Sequence, residues 1–575
     1  MPNIMRLGFS HFFPQEKKLE YADYVKDISS NTILKLVSYI NLKLALEKND
    51  DKLQKFLFLK SFFSLGVKSY MHFENIFKTL EGTNIFNRVS NLKIIESEFS
   101  NFRGNPDTLE IPELTLNLLK AYLVVNDNLD KEQFSVHDDY KASGNIDAIE
   151  FSKIFFTPSH LTYSEFLMVE NDFQYQIEMF SELVYFLERD EELSEYFKKF
   201  IQSKGLESSD EYLYRMLEII MLYFKGGENT ILNFLSTPEN KIPKIFFAYS
   251  SNSFEFYKTN ITNHKGRSDF SPIREKPLYE CSKGELLILD LTFLINKLYR
   301  ASSFEFLRFI ANEEGRNKAF ENAKSRISSN QLHKYFVELI ASIFGSSKTI
   351  HLSENENLVD SYVRRKKNVF LFEFKDEIIP IKTKYETDYK LIIEGIKEKF
   401  VLSKQGKPKG VTQLSNAIEN LNNEYKKFDN LDSKNIEESE IAIFPILVYT
   451  DSTLNFPGFN DTLEKEFFLQ IKNIKDLKFR KIYGLIIINF RILIEYKTTF
   501  KKNPELLKEL FMKYYSEIER KKNYSVFANP NNPDDFLGLL VSSYFFFKNE
   551  LYKRGFQSEI NLTEKINGLI KKFNS

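Results

Sequence analysis

The chain has 575 residues, 42% of them hydrophobic and 28% charged, with 57 Phe and 30 Tyr. It is too long for one hydrophobic core, which stops growing at about 250 to 300 residues, and too aromatic to be disordered. Its single cysteine, Cys281, excludes an internal disulfide and a cysteine-based zinc site, and its net charge of −1 excludes a globally basic coat for nucleic acid.

Apolar residues recur at three and four in the first half, and the spacing predicts helices over 33–46, 53–63, 114–123 and 173–187. The polar, proline-containing stretch from Phe247 to Pro277 reads as a linker, with a domain boundary near residue 270. Helices are expected over 286–309 and 331–344. Strands are expected over 348–352, 357–363 and 369–376, then a helix over 411–428. Two β-type apolar runs, 441–449 and 482–494, are followed by helices over 504–521 and 536–553. The predicted architecture is a mostly helical domain, 1–270, with a regulatory or recognition role, and an α/β domain, 271–575, with a mixed sheet flanked by helices. The core of the second spans about 331–495.

No apolar run reaches the roughly 18 to 20 residues of a membrane span, and the N-terminus lacks a signal-type apolar core. A cytoplasmic protein without a membrane partner is the expectation. The basic runs Arg364 to Lys367 and Lys472 to Lys481 read as solvated faces or local phosphate contacts.

The segment NLVDSYVRRKKNVFLFEFKDEIIP, 357–380, carries the chemistry. Val369, Leu371, Glu373 and Lys375 share one strand face, and Phe370, Phe372 and Phe374 the other. A hairpin turning at Lys366 and Lys367 sets Asp360 opposite Glu373. Two carboxylates at adjacent strand positions repel unless a cation lies between them, and oxygen ligands suit Mg²⁺, with Mn²⁺ as a substitute. An ammonium beside them could orient an attacking water. The competing reading is a satisfied hairpin salt bridge. Glu-x-Lys recurs by chance at Glu424/Lys426, on a predicted helix, and at Glu495/Lys497, after the second apolar run. His137, Asp138 and Asp139 are read as a loop without metal spacing.

An acidic residue on one strand and Glu-x-Lys on the next, bracketed by helices and followed by a further strand, resembles the PD-(D/E)XK (restriction endonuclease-like) nuclease superfamily over 331–449. Val359 stands where the motif name has proline. The resemblance implies Asp360 and Glu373 as metal ligands and Lys375 as the catalytic lysine. It adds Glu338, on the preceding helix, and Gln413, on the following one, to the catalytic candidates. The bland readings are a solvent-facing Glu338 and a Gln413 that merely flanks the Val411, Leu414, Ile418 and Leu421 face. The implied function is Mg²⁺-dependent hydrolysis of nucleic acid, DNA before RNA, in a bacterial restriction or anti-phage defence system. The helical half would select the target, hold a partner protein or a second copy, or restrain the nuclease. Two alternatives stay open: a non-cleaving nucleic-acid-binding or scaffold protein, and an endoribonuclease.

Overall fold

The computed structural model describes residues 6–47, 49–79, 84–141, 148–167, 173–226, 231–233, 244–264, 266–345, 348–351, 359–429, 437–525, 539–559 and 563–574. They form two compact units, one of 1–135, 166–323 and 561–575, the other of 136–165 and 324–560. The expected boundary near residue 270 falls inside the first unit.

The first unit is largely helical, with Ser30–Leu46, Arg88–Ser100, Phe173–Leu187 and Ser209–Gly226 among its longer helices. It also holds a small four-stranded sheet in the order Ile231–Asn233, Glu285–Ile288, Leu278–Ser282, Ser250–Ser251. The expected linker is therefore folded: it contributes one of those strands, Ser250–Ser251, and the helices Phe254–Thr259 and Ser271–Glu275. Likewise 286–309 is not one helix. Its start pairs as a strand, and Asp290 then caps a short helix, Leu291–Asn296, by accepting the Phe293 N–H at 2.9 Å.

In the second unit, helix α1 (Lys334–Phe344) leads to strands β1 (Lys348–His351), β2 (Ser361–Arg365) and β3 (Asn368–Lys375). Helices α2 (Tyr389–Phe400) and α3 (Gly410–Phe428) precede β4 (Ala442–Tyr449). Helix α4 (Phe459–Ile471) then leads to β5 (Lys481–Ile482) and β6 (Ile486–Asn489). The expected strand over 357–363 begins partly outside the described residues. Strands β1, β2 and β3 pair antiparallel, β4 runs parallel to β3, and β5 and β6 both run parallel to β4. This is a mixed sheet.

Both faces of the sheet are covered, which is why β3 and β4 are almost continuously apolar. Phe370, Phe372 and Phe374 meet α1: Phe336 stacks on Phe374 at 4.8 Å, and Phe344 lies 5.4 Å from Phe370. The opposite face, through Tyr362, Val369 and Leu371, shares a core with Ile392 and Ile396 of α2 and Leu414, Ile418 and Leu421 of α3. Leu161, from the helix Ala148–Leu167, belongs to the same core, and Thr162 donates to the Lys384 carbonyl at 3.0 Å. A segment from the first half of the sequence thus completes the C-terminal unit.

The apolar run 482–494 is only partly strand. After β6, the Asn489 side chain accepts the Arg491 N–H at 2.9 Å and starts the helix Phe490–Glu495.

Candidate active site

The hairpin register follows the alternation of side chains. Ser361 pairs with Phe372, Tyr362 with Leu371 and Val363 with Phe370, and Lys366 takes a left-handed φ of 54° in the turn. One step further, Asp360 stands against the Glu373 end of β3. Its Oδ2 accepts the Phe374 N–H at 2.7 Å, and its Oδ1 lies 3.0 Å from His333 Nε2.

Lys375 Nζ lies 2.6 Å from Glu373 Oε1. That oxygen is buried, and the Lys375 ammonium is its ion-pair partner. Glu373 is only 1% exposed. Burial, first, and the Asp360 carboxylate, second, push its carboxyl up to about 7, against the opposing pull of Lys375. His333 is raised above the usual imidazole range, chiefly by its hydrogen bond to Asp360.

The sequence reading missed His333. It ends a single π-helical turn, Ser328–His333, which joins the helix Asn317–Ile327 to α1. One residue too many per turn changes the phase of the helix, and such bulges recur at functional sites. Glu338 is not brought into the group: it lies on the exposed side of α1, as its distance from the apolar stripe implies. Gln413 sits in the first turn of α3, half-buried, and its Oε1 is buried without a hydrogen-bond partner. The same turn begins at Gly410, where an added Cβ would stand 3.4 Å from Lys375 Cγ and 2.7 Å from Leu447 Cδ1. The first turn of α3 therefore packs against the stem of Lys375.

The rival Glu-x-Lys copies are placed elsewhere. Glu424 is on α3, and Glu495 ends a helix, buried between Arg491 at 2.5 Å and Lys548 at 3.5 Å. His137 to Asp139 lie on the helix Ile111–Lys141 rather than in a loop. Most of the first basic run is consumed by structure: Arg364 pairs with buried Asp429, Arg365 with Glu505 at 2.7 Å and Lys367 with Glu440.

Among the described residues, no group of three or more His, Cys, Asp or Glu side chains is arranged to hold a metal ion. Asp360 and Glu373 supply two carboxylates, which matches a hard cation that takes its remaining ligands from water and phosphate. The burial of the Glu373 carboxylate and its repulsion by Asp360 are the features that a cation would relieve. No protein-family model, no curated protein and no solved structure matches the chain.

Proposed function

We propose that this chain is a metal-dependent nuclease that hydrolyses phosphodiester bonds, with DNA as the substrate and Mg²⁺, or Mn²⁺ in its place, as the cofactor. One observation carries the reading: Asp360, Glu373 and Lys375 converge at the end of β3, with the Glu373 carboxylate buried. The mixed sheet covered by helices on both faces suits the restriction endonuclease-like fold, and defence against foreign DNA is the setting that goes with it.

Asp360 and Glu373 would hold the cation. Each oxygen of Asp360 already takes one hydrogen-bonding neighbour, the Phe374 amide or His333, and keeps a lone pair for a metal. When bound, the cation neutralises the phosphate and lowers the pKa of the attacking water. The Lys375 ammonium orients that water and offsets the charge that builds on the phosphorane-like transition state. The π-helical turn before α1, through His333, fixes the Asp360 carboxylate so that no reorganisation is needed at the moment of reaction.

The test is incubation of the purified protein with plasmid DNA in Mg²⁺, in Mn²⁺ and in EDTA, beside Glu373→Ala and Lys375→Ala. Cleavage that needs the metal and both side chains is expected. Metal-independent cleavage, or full activity in both variants, would overturn the reading. RNA loss with intact plasmid would replace DNA with RNA as the substrate.

A further inference from the structure

Between α2 and α3 the chain makes a small hairpin beside the site. Lys409 N–H donates to the Val401 carbonyl at 2.9 Å, Leu402 bridges Pro408, and Ser403 N–H donates to the Lys407 carbonyl at 2.9 Å. Gly406, at φ 74°, lets the tip turn, and the Ser403 side chain accepts the Lys407 N–H at 3.1 Å. The tip is therefore braced by its own backbone rather than left loose.

Its charge is one-sided. From Lys397 to Gly410 the chain carries Lys397, Lys399, Lys404, Lys407 and Lys409 against one acid, Glu398, in a protein whose net charge is −1. Part of this charge is spent on structure: Lys397 pairs with Glu466 at 2.6 Å, and Lys399 and Lys409 share Glu377 at 3.3 and 3.1 Å. The tip keeps the rest. Lys404 is 74% exposed and reaches only the exposed Glu398, at 3.6 Å. Lys407 is exposed and makes no ion pair with the described residues. At the base of the hairpin Gly410 packs on the stem of Lys375, and Lys409 reaches Glu377, two residues beyond Lys375, so the hairpin is anchored beside the site.

Lysines gathered at the start of a helix are electrostatically unfavourable, because the helix dipole is already positive there, and Lys409 gives α3 no side-chain cap. Such a local conflict is expected where an anion is to be received. The hairpin itself, Val401 to Lys409, contains no aromatic residue, which suits contacts to phosphates rather than stacking on bases.

We propose that the hairpin Val401 to Lys409 is a phosphate clamp, in which Lys404 and Lys407 grip the backbone of a nucleic-acid strand and lead it to Asp360, Glu373 and Lys375. It rests on the nuclease reading for the identity of the site and adds the surface that binds the strand. The clamp reads charge and not sequence.

The experiment is fluorescence anisotropy of labelled duplexes of about 30 base pairs, in two unrelated sequences, titrated with full-length protein in Ca²⁺ across a range of salt. Lys404→Gln with Lys407→Gln is expected to weaken binding by tens of fold near 0.1 M salt, equally for both sequences, and to lower the salt slope by about 1.8. Lys404→Arg with Lys407→Arg is expected to retain the slope. Unchanged affinity and slope in the glutamine variant, or no salt-dependent binding by the wild type, would overturn the clamp. A wild type that cleaves while the slope is unmoved sinks the clamp alone. A lost slope in a protein that never cleaves supports the clamp and sinks the nuclease reading.

Discussion

Asp360 accepts the backbone N–H of Phe374 at 2.7 Å, so the carboxylate before β2 is fastened to β3 between Glu373 and Lys375. A backbone donor fixes it more firmly than a side chain could, since the strand cannot move without the sheet. The same carboxylate meets His333, and three segments distant in sequence thereby share one group.

The first consequence concerns proton binding by the metal-free protein. Glu373 titrates near 7 when folded and near 4.5 when unfolded, so the folded state holds the extra proton between those values. The associated stability is present below about pH 4.5 and is lost as the pH rises to about 7, on the order of 3 kcal/mol. Glu373→Gln, measured by urea unfolding at several pH values, is expected to remove that loss and to be the more stable protein above pH 7. A wild-type stability gain between pH 5 and 7 that depends on Glu373 would contradict the assignment.

Lys375 is the nearest cation to the buried carboxylate. Lys375→Ala is expected to lower the cleavage rate by about a hundredfold or more, as the loss of a transition-state charge partner does. Glu373 should then hold its proton more tightly, and titration of the carboxyl by NMR would show the upward shift.

His333 has linkage of the same sign. Its folded pKa is raised, so the stabilisation is fully present below its unfolded pKa and is lost as the pH rises through the folded value. His333→Ala is expected to be less stable than wild type at pH 6, with the difference narrowing at pH 8. The ring is part-exposed, so the difference should stay below about 1 kcal/mol. Thermal melts at the two pH values are the measurement. The variant should also need more metal for half-maximal cleavage, because Asp360 loses an orienting partner.

Arg364 and Asp429 form a buried pair that also accepts Tyr362, whose hydroxyl lies 2.8 Å from Asp429 Oδ2. Asp429→Ala strands a buried guanidinium and is expected to cost about 3 to 5 kcal/mol in chemical unfolding. Adding Arg364→Met should restore most of it. If the double variant is no better than the single, the cost is not one of unpaired charge.

Gly410 leaves no room for a side chain beside Leu447. Gly410→Ala is expected to cost about 1 to 3 kcal/mol through overpacking and to push α3 off Lys375, which cleavage assays would register as a further loss of rate.

The hairpin was legible because strand side chains alternate strictly, so a turn at Lys366 and Lys367 leaves one register that faces Asp360 toward Glu373. Helix α3 was legible from Val411, Leu414, Ile418 and Leu421, all of which are buried as their spacing requires. His333 was not, because a wheel drawn at 3.6 residues per turn cannot place residues beyond a π-helical turn. The run 482–494 was misjudged past β6, since isoleucines and leucines fit strand and helix alike when both are buried, and only the Asn489 cap separates them.

The sequence by itself determined the local geometry: which residues share a strand face, where the hairpin turns, and that two carboxylates and a lysine must then be neighbours. Those facts depend on periods of two and on turn chemistry, which act between residues close in the chain. Only the tertiary structure decided that His333 meets Asp360, that Leu161 from the first half of the chain fills the core under the sheet, and that Glu373 is buried deeply enough for its carboxyl to be pushed up to about 7. Desolvation and long-range packing are properties of the assembled core, and no spacing along the chain encodes them directly.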